Sequence, residues 1–462
     1  MAGWKDLPLE LVHMILSYAC YDDSDGKSYD KSYDEDEDED EDDDDDEDET
    51  YTQLARLCRV SKTFRTCVRP LLYKRIDISP RYSSQSRVEL LIRSLSENPD
   101  LAHLTRHVEI YFSSSMRQLS SFHSLLKSLP LLEELKIDTS LGNLDCPALD
   151  EDLVPYLKRL NIHNHRQLKW RQVTQWIRLP YLESLTVGPF GPDGDDIDRS
   201  TAAQLKTTTR STVKSLSINL DAECSTDLDT VLSCCPDLKS LTCTISFSCE
   251  DENHHLVNSG NLSRIITRRL STCLTTLSLK CRENGCIDPG GVMDLSLLAN
   301  VRELEVDPNF LFSRDALRNP SMRVGVYAQL PSALVNLRIT FVTEDAFEVH
   351  FGPRPSVEGT IMRRMIPAVF EPQSLNWLIE IAAHKPTSLP HLSHVHVRES
   401  EPSCRCGTNF FASTPVYVPD TVFTAFEEKE ISLEAQMRRR LPPSQGRRCG
   451  YLQMTKPKAS YD

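Results

Sequence analysis

The residues best suited to chemistry gather in two places. His391, His394 and His396 precede Cys404 and Cys406, and Cys281 stands five residues ahead of Cys286. Imidazole and thiolate ligands hold structural zinc when two close pairs occur, each roughly two to four residues apart. Only one close cysteine pair is present in the C-terminal cluster, and His394 and His396 alternate with Val395 and Val397 as residues of a strand do. No metal and no cofactor are therefore expected. Nucleophilic chemistry has less support still. No cysteine or serine sits in a strand–turn–helix elbow, and no glycine-rich phosphate loop is present. The chain is expected to have no catalytic residue and not to be an enzyme.

The elements that carry these residues are set by composition first. At 462 residues the chain is too long for one ordinary core, so it needs several domains or an elongated repeat. Hydrophobic residues make up 39%, slightly below the globular average, which favours a large surface and hence the repeat. The formal net charge is −16, but Asp34 to Glu49 is an unbroken run of sixteen carboxylates, so the rest of the chain is formally neutral. A neutral body without a basic field argues against nucleic acid. No apolar run approaches the roughly eighteen residues that would cross a bilayer, so no membrane is expected. The first ten residues lack a secretory pattern, and the fifteen cysteines are read as reduced thiols of a soluble protein, cytoplasmic and/or nuclear.

Near the N-terminus Leu7, Leu11, Met14, Ile15 and Tyr18 share one helical face, with Pro8 in the first turn and Glu10 near the positive end of the dipole. Residues 21–50 hold the carboxylate run and cannot form a core, so a solvated acidic insert is expected there. A second helical stripe follows at Leu54, Leu57, Val60, Phe64, Val68 and Leu71, with Pro70 interrupting it near its end, and Arg75 to Ile78 reads as a short strand.

The rest carries an internal repeat: apolar, two variable residues, apolar, one variable, apolar. It occurs nine times, as Leu132/Leu135/Ile137, Leu157/Leu160/Ile162, Leu182/Leu185/Val187, Val213/Leu216/Ile218, Leu238/Leu241/Cys243, Leu274/Leu277/Leu279, Val301/Leu304/Val306, Leu334/Leu337/Ile339 and Leu392/Val395/Val397. Starts lie 25 to 58 residues apart, enough for one strand and one return per turn. Returns at Phe122–Leu129, Leu228–Cys235, Leu262–Leu270 and Ser374–Ala383 have helical spacing. The gap from Leu334 to Leu392 holds either a degenerate repeat or a protruding loop. After Val397 the spacing predicts a helix capped by Asp420 and running through Val422, Phe426, Ile431 and Leu433 to Arg438–Arg440, stopped by Pro442 and Pro443.

This gives an α/β fold: a short all-helical region followed by an irregular solenoid with a parallel sheet and helical returns. The expected domains are 1–80, interrupted by the insert at 21–50, then the solenoid at 81–400, then an extension and tail at 401–462. Repeat leucines report only the core. Recognition belongs to the residues between them, which point the other way: Lys136 and Asp138, Asn161 and His163, Ser217 and Asn219, Glu305 and Asp307, Arg338 and Thr340, His396 and Arg398. Mixed in sign and mostly polar, they suit a protein ligand.

Leu7-Pro8-Leu9-Glu10-Leu11 followed by Ile15-Leu16-Ser17-Tyr18 resembles the opening of an F-box, and Leu57 through Arg65 resembles its second half. With the repeats behind it, the chain is similar to fungal F-box proteins with leucine-rich-repeat-like C-terminal regions. The resemblance implies that the box binds the Skp-type adaptor, and through it the cullin-RING scaffold, of an SCF ubiquitin ligase, while the repeats choose the protein to be ubiquitinated. It implies Leu7, Pro8, Leu11, Ile15, Leu16, Leu57, Val60 and Phe64 as adaptor-contacting or box-core residues. The family joins the two halves by a short turn; here roughly thirty residues intervene, which costs only about 1.2 kcal/mol in closure entropy. The alternative is a leucine-rich-repeat interaction scaffold that binds the adaptor or another partner without a ligase role; for the N-terminal helices alone, the alternative is a cap that shields the first repeat.

Overall fold

The computed structural model describes residues 56, 58–59, 62–78, 85–113, 119–141, 149–163, 168, 170–188, 211–221, 225–246, 259–281, 292–341, 349–350, 369–370, 375–399, 416–417, 420–439 and 450–455. The expected first helix and the acidic insert lie outside them. Two compact units are formed, one from Met1–Arg166 with Arg178–Thr186, the other from Gln167–Ile177 with Val187–Asp462.

In the first unit α1 (Lys62–Lys74) feeds directly into β1 (Arg75–Ile78), and its helix continues one turn past Pro70. Cys67 and Val68 supply its buried side. There follow α2 (Gln85–Glu97), α3 (Pro99–Ala102), β2 (His107–Ser113), α4 (Leu119–Lys127), β3 (Glu134–Leu141), β4 (Arg159–His163) and the first residues of β5 (Ser184–Gly188). The pairs β1–β2, β2–β3 and β3–β4 are parallel and in register, with Ile76, Val108, Leu135 and Leu160 side by side. Parallel pairing needs a crossover at every step, and α4 with its buried Phe122, Leu125 and Leu126 is one of these returns.

β2 carries a repeat that leucine spacing does not reveal. Thr105 stands where the first apolar residue of the pattern belongs, followed by Val108 and Ile110, and it is fully buried with its hydroxyl unpaired. A threonine nearly fills the place of a valine, so the packing survives, but the buried hydroxyl loses hydration.

The second unit begins with α5 (Trp170–Trp176) and the end of β5, then β6 (Ser215–Asp221), α6 (Ser225–Cys234), β7 (Ser240–Ser246), α7 (Ser259–Leu270), β8 (Thr276–Cys281) and β9 (Glu303–Val306). Short turns follow at α8 (Pro308–Leu311) and α9 (Arg314–Arg318), then β10 (Asn336–Phe341). The chain continues with β11 (Val349–His350), β12 (Val369–Phe370), α10 (Asn376–Ala383), α11 (Lys385–Ser388), β13 (His394–Glu399), β14 (Val416–Tyr417), α12 (Asp420–Glu427), β15 (Ser432–Arg439) and β16 (Gly450–Thr455). Strand order is β6-β7-β8-β9-β10-β13-β15-β16-β14.

β10 bonds directly to β13 through six consecutive residue pairs, so no degenerate repeat lies between them. The long gap is an insertion, and it includes the antiparallel pair β11–β12.

All residues of the nine repeat triads are 2% exposed or less. Each such side chain contributes roughly 1.5–3 kcal/mol of burial relative to exposure. Register is reinforced where strands begin. The carbonyl of Arg106 accepts both Glu133 and Glu134 N–H, that of Glu133 accepts Lys158 and Arg159, and those of Lys214, Lys239, Thr275, Arg302 and Val335 repeat the arrangement in the second unit. Each turn thereby satisfies the polar groups of the next.

The expected helix from Asp420 to Arg440 is corrected. It begins at Asp420 but stops at Glu427, Glu430 turns through positive φ (53°), and Ser432–Arg439 forms β15, parallel to β13. Ile431, Leu433, Ala435 and Met437 also alternate with period two, and the open edge of β13 offers backbone partners that a helix cannot use. Ile431 and Ala435 are buried accordingly.

Candidate protein-binding face

Alternation within each strand sends one set of side chains into the core and the other to the opposite face, and the parallel register lines the second set into rows. In the first unit one row is Asp77, Glu109, Lys136 and Asn161, and the next pairs Tyr111 with Asp138 and Asp138 with His163.

Glu109 is the hub. Arg75 donates to it at 2.8 Å, the Tyr111 hydroxyl at 2.5 Å, and Lys136 forms a further ion pair. Burial alone would raise the Glu109 carboxyl. The bonds from Lys136 and Tyr111 and the charges of Lys136 and Arg75 outweigh it and hold the group below its ordinary value. Burial, then the bond to this carboxylate, pushes the Tyr111 phenol upward, so it remains a donor.

A neighbouring row centres on Glu134, bonded to His107 at 2.8 Å and to Arg159 at 2.6 and 2.9 Å. Its carboxyl is brought down to about 2, chiefly by His107, against burial and with help from Arg159. Lys136 and Asp138 stand on β3, paired in register with Asn161 and His163 on β4. Asn161 Oδ1 is buried and has no hydrogen-bond partner.

In the second unit the face changes character along the sheet. Over β6 to β8 its outward positions include Ser215, Ser217, Ser240, Thr242, Thr244, Thr276 and Ser278, a run of hydroxyls. Charge begins at Lys280 and Glu305, 3.2 Å apart, with Ser278 also donating to Glu305 at 3.0 Å. Arg338 reaches Glu305 only at 4.0 Å. Arg398 donates to the Thr340 hydroxyl at 3.3 Å, and His396 Nε2 lies 4.0 Å from Glu434.

Three of the expected face residues are buried. Asn219 backs onto Gly188, where an added Cβ would come within 2.8 Å of the Asn219 Cβ. Thr340 is 6% exposed. Asp307 lies past the end of β9 and is 2% exposed; its N–H donates to the Leu279 carbonyl and its carboxylate accepts the Cys281 N–H, so it ties two turns together. Burial pushes this carboxyl up to about 7, against the Cys281 bond and the nearby Lys280, while Glu305 adds to the rise.

Sequence reasoning did not select Glu109, Tyr111, His107, Glu134 or Arg159. The first three sit on β2, whose triad starts with threonine; the other two occupy the strand position just before the second apolar residue.

Of the residues that the F-box resemblance implies, Leu7, Pro8, Leu11, Ile15, Leu16, Leu57 and Val60 lie outside the described residues, and Phe64 falls within α1. Cys286, Cys404 and Cys406 are also outside. Cys281 is buried, and among the described residues no group of three or more His, Cys, Asp or Glu side chains is placed to hold a metal.

No protein-family description matches the sequence, and no curated protein matches it. Solved structures similar to it include the leucine-rich repeat-containing protein LegL7 from Legionella pneumophila, at 15% identity over 56% of this chain and 81% of that one, TM-score 0.34. Another is the Rad7 and Elc1 complex in yeast, at 13% identity over 77% and 94%, TM-score 0.28. The strand order, register and buried triads described above make the fold α/β and leucine-rich-repeat-like.

Proposed function

We propose that this chain is a non-catalytic adaptor whose sheet face selects a protein partner and whose N-terminal segment docks it onto a Skp-type adaptor of a cullin-RING ubiquitin ligase. The observation that supports this most is the face itself. Rows of polar and charged side chains, fixed in register and held by their neighbours on rigid strands, offer the preorganised, mixed-sign surface on which protein recognition depends. The docking half rests on the sequence of residues 7–18 and 57–65. Two short helices bearing so wide an apolar stripe need a partner helix to cover it.

The mechanism is effective concentration. One end is fixed to the ligase, the other holds a protein so that its lysines lie near the charged conjugating enzyme, and no residue here forms a covalent bond. The compartment proposed is the cytoplasm, the nucleus or both. The test is a pull-down of recombinant Skp-type adaptor with wild-type protein and with a Leu11→Asp, Ile15→Asp variant. Binding by the wild type and not by the equally folded variant supports the reading. Binding by neither reduces the chain to a repeat-based binding protein.

A further inference from the structure

Three successive corners of the first unit are built alike. Residues 129–132, 154–157 and 179–182 each form a turn whose second residue is proline, at Pro130, Pro155 and Pro180. In each, the N–H of the last residue donates to the carbonyl of the first at 3.2 or 3.3 Å. Proline presets the backbone angle that its position requires. The first and last residues of every turn are buried, so the third, Leu131, Tyr156 or Tyr181, is fixed at the surface. Lys158 N–H then donates to the Glu133 carbonyl and Glu183 N–H to that of Lys158, which sets the three corners in a row.

Tyr156 and Tyr181 are 49% and 56% exposed, and their rings stack with centroids 6.0 Å apart and planes 27° from parallel. The scaffold does not demand aromatic residues there. The same position in the later repeats holds Thr212, Asp237, Cys273, Asn300, Ala333 and His391. Rings already ordered against each other on rigid corners lose little freedom when a ligand covers them. Exposed Glu151 and Asp152 lie shortly before Tyr156, and exposed Arg178 shortly before Tyr181.

We propose that Leu131, Tyr156 and Tyr181 form a docking ridge for a proline-rich segment of a partner protein, bound as a polyproline II helix with a basic residue beside its prolines. Such a helix has no internal hydrogen bonds, so its carbonyls are free to accept from the two tyrosine hydroxyls while proline rings pack on the aromatic faces. An α-helix spends its carbonyls internally and would leave those hydroxyls to water. Length agrees as well. Two strand spacings, roughly 10 Å, separate Leu131 from Tyr181, and one polyproline turn advances about 9 Å, so prolines three residues apart meet the two ends with Tyr156 between them. Glu151 and Asp152 complement a basic residue at the Tyr156 side, and Arg178 disfavours one beyond Tyr181. The ridge lies ahead of β4 and β5 and not on the outward sheet face, so it is independent of the partner proposed for that face.

The test is fluorescence anisotropy of a labelled decaproline bearing one arginine, titrated with the full chain. A glycine–serine peptide of equal length and charge is the control. Saturable binding of decaproline, at least several-fold tighter than the control, is expected. Tyr156→Ala combined with Tyr181→Ala should weaken it roughly 30-fold, as loss of aromatic anchors does; both residues are exposed, and a thermal melt checks the fold. Tyr156→Phe with Tyr181→Phe keeps the stack and should lose about fivefold, the share of the hydroxyl bonds. Absence of saturable binding, equal binding of the control, or unchanged affinity in either double variant overturns the proposal. So does a wild-type dimer in sedimentation that the alanine variant loses, which would assign the ridge to a second copy of the chain.

Discussion

Replacing Arg323 should cost the second unit a large part of its stability, although this residue lies outside any candidate site. Its side chain is 1% exposed, and its guanidinium lies 5.4 Å from the Phe312 ring centre and 5.0 Å from that of Phe341. Nε donates to the Ala316 carbonyl and Nη2 to that of Leu317, each at 3.0 Å, closing the last turn of α9. Hydrogen bonds to a charged group contribute about 1.5–3 kcal/mol each, and a desolvated cation–π contact about 2 kcal/mol. Against these stands the desolvation of the guanidinium, several kcal/mol in a dry interior. Arg323→Met fills similar volume, removes the desolvation cost and leaves two carbonyls without this donor, so a net loss of about 2–4 kcal/mol is expected. Arg323→Lys should lose nearly as much, because an ammonium cannot donate in a fork to both carbonyls while contacting both rings. Two compact units make a single unfolding midpoint ambiguous. Hydrogen exchange is the better assay, read on peptides spanning residues 308–330 and on β10. Protection in Arg323→Met within about 0.5 kcal/mol of wild type would refute the reasoning.

Gly188→Ala should destabilise β5 and β6 by about 1–3 kcal/mol, since the new Cβ meets the Asn219 Cβ at 2.8 Å. Asn219→Ala should not rescue it and Asn219→Gly should, as thermal melts of the double variants would show. The two perturbed carboxyls give opposite pH dependences. Asp307, raised from 3.8 to about 7, binds a proton more readily folded than unfolded, so its contribution declines by about 4 kcal/mol as pH rises from 4 through 7. Asp307→Asn should therefore gain stability relative to wild type at pH 8 but not at pH 5, in denaturant titrations at both values. Glu134, lowered to about 2, contributes stability above its unfolded value near 4.5, lost as pH falls toward 2; Glu134→Gln should flatten the acid limb of the first unit, read by exchange on β2 to β4. Leu277→Ala, at a fully buried position of β8, should cost about 2–5 kcal/mol by the same denaturant titration.

Most of the scaffold was legible because leucine repeats report burial directly. A residue that points into the core of a stacked strand has few acceptable types, and Leu, Ile, Val and Cys243 announce it. β2 was not legible because Thr105 satisfies the same volume while reading as polar. β15 was misread because Val422, Phe426, Ile431 and Leu433 fit a helix from Asp420, whereas the period-two alternation from Ile431 to Met437 becomes decisive only when the neighbouring edge of β13 is present. Face residues were legible as positions and not as a network. Lys136 was selected, but its carboxylate, Glu109, comes from another repeat, and pairing across strands depends on register that spacing alone does not supply.

That separation between core and face bears on how such a chain can acquire a binding site. Because alternate residues serve different masters, the outward positions of β6 to β13 can change from hydroxyls to a cluster of Arg338, His396 and Arg398 without altering one buried triad residue. Asp307 marks the limit of this freedom. Counted as a face residue by alternation, it is instead buried and joins the Leu279 carbonyl to the Cys281 N–H, so substitution there disturbs the turn as well as the surface. Selection of new partners should therefore act on the middle of each strand, between the two inner triad residues, where Lys136, Ser278, Glu305, Arg338 and His396 all stand. It should act little at the strand ends, where side chains close the turns.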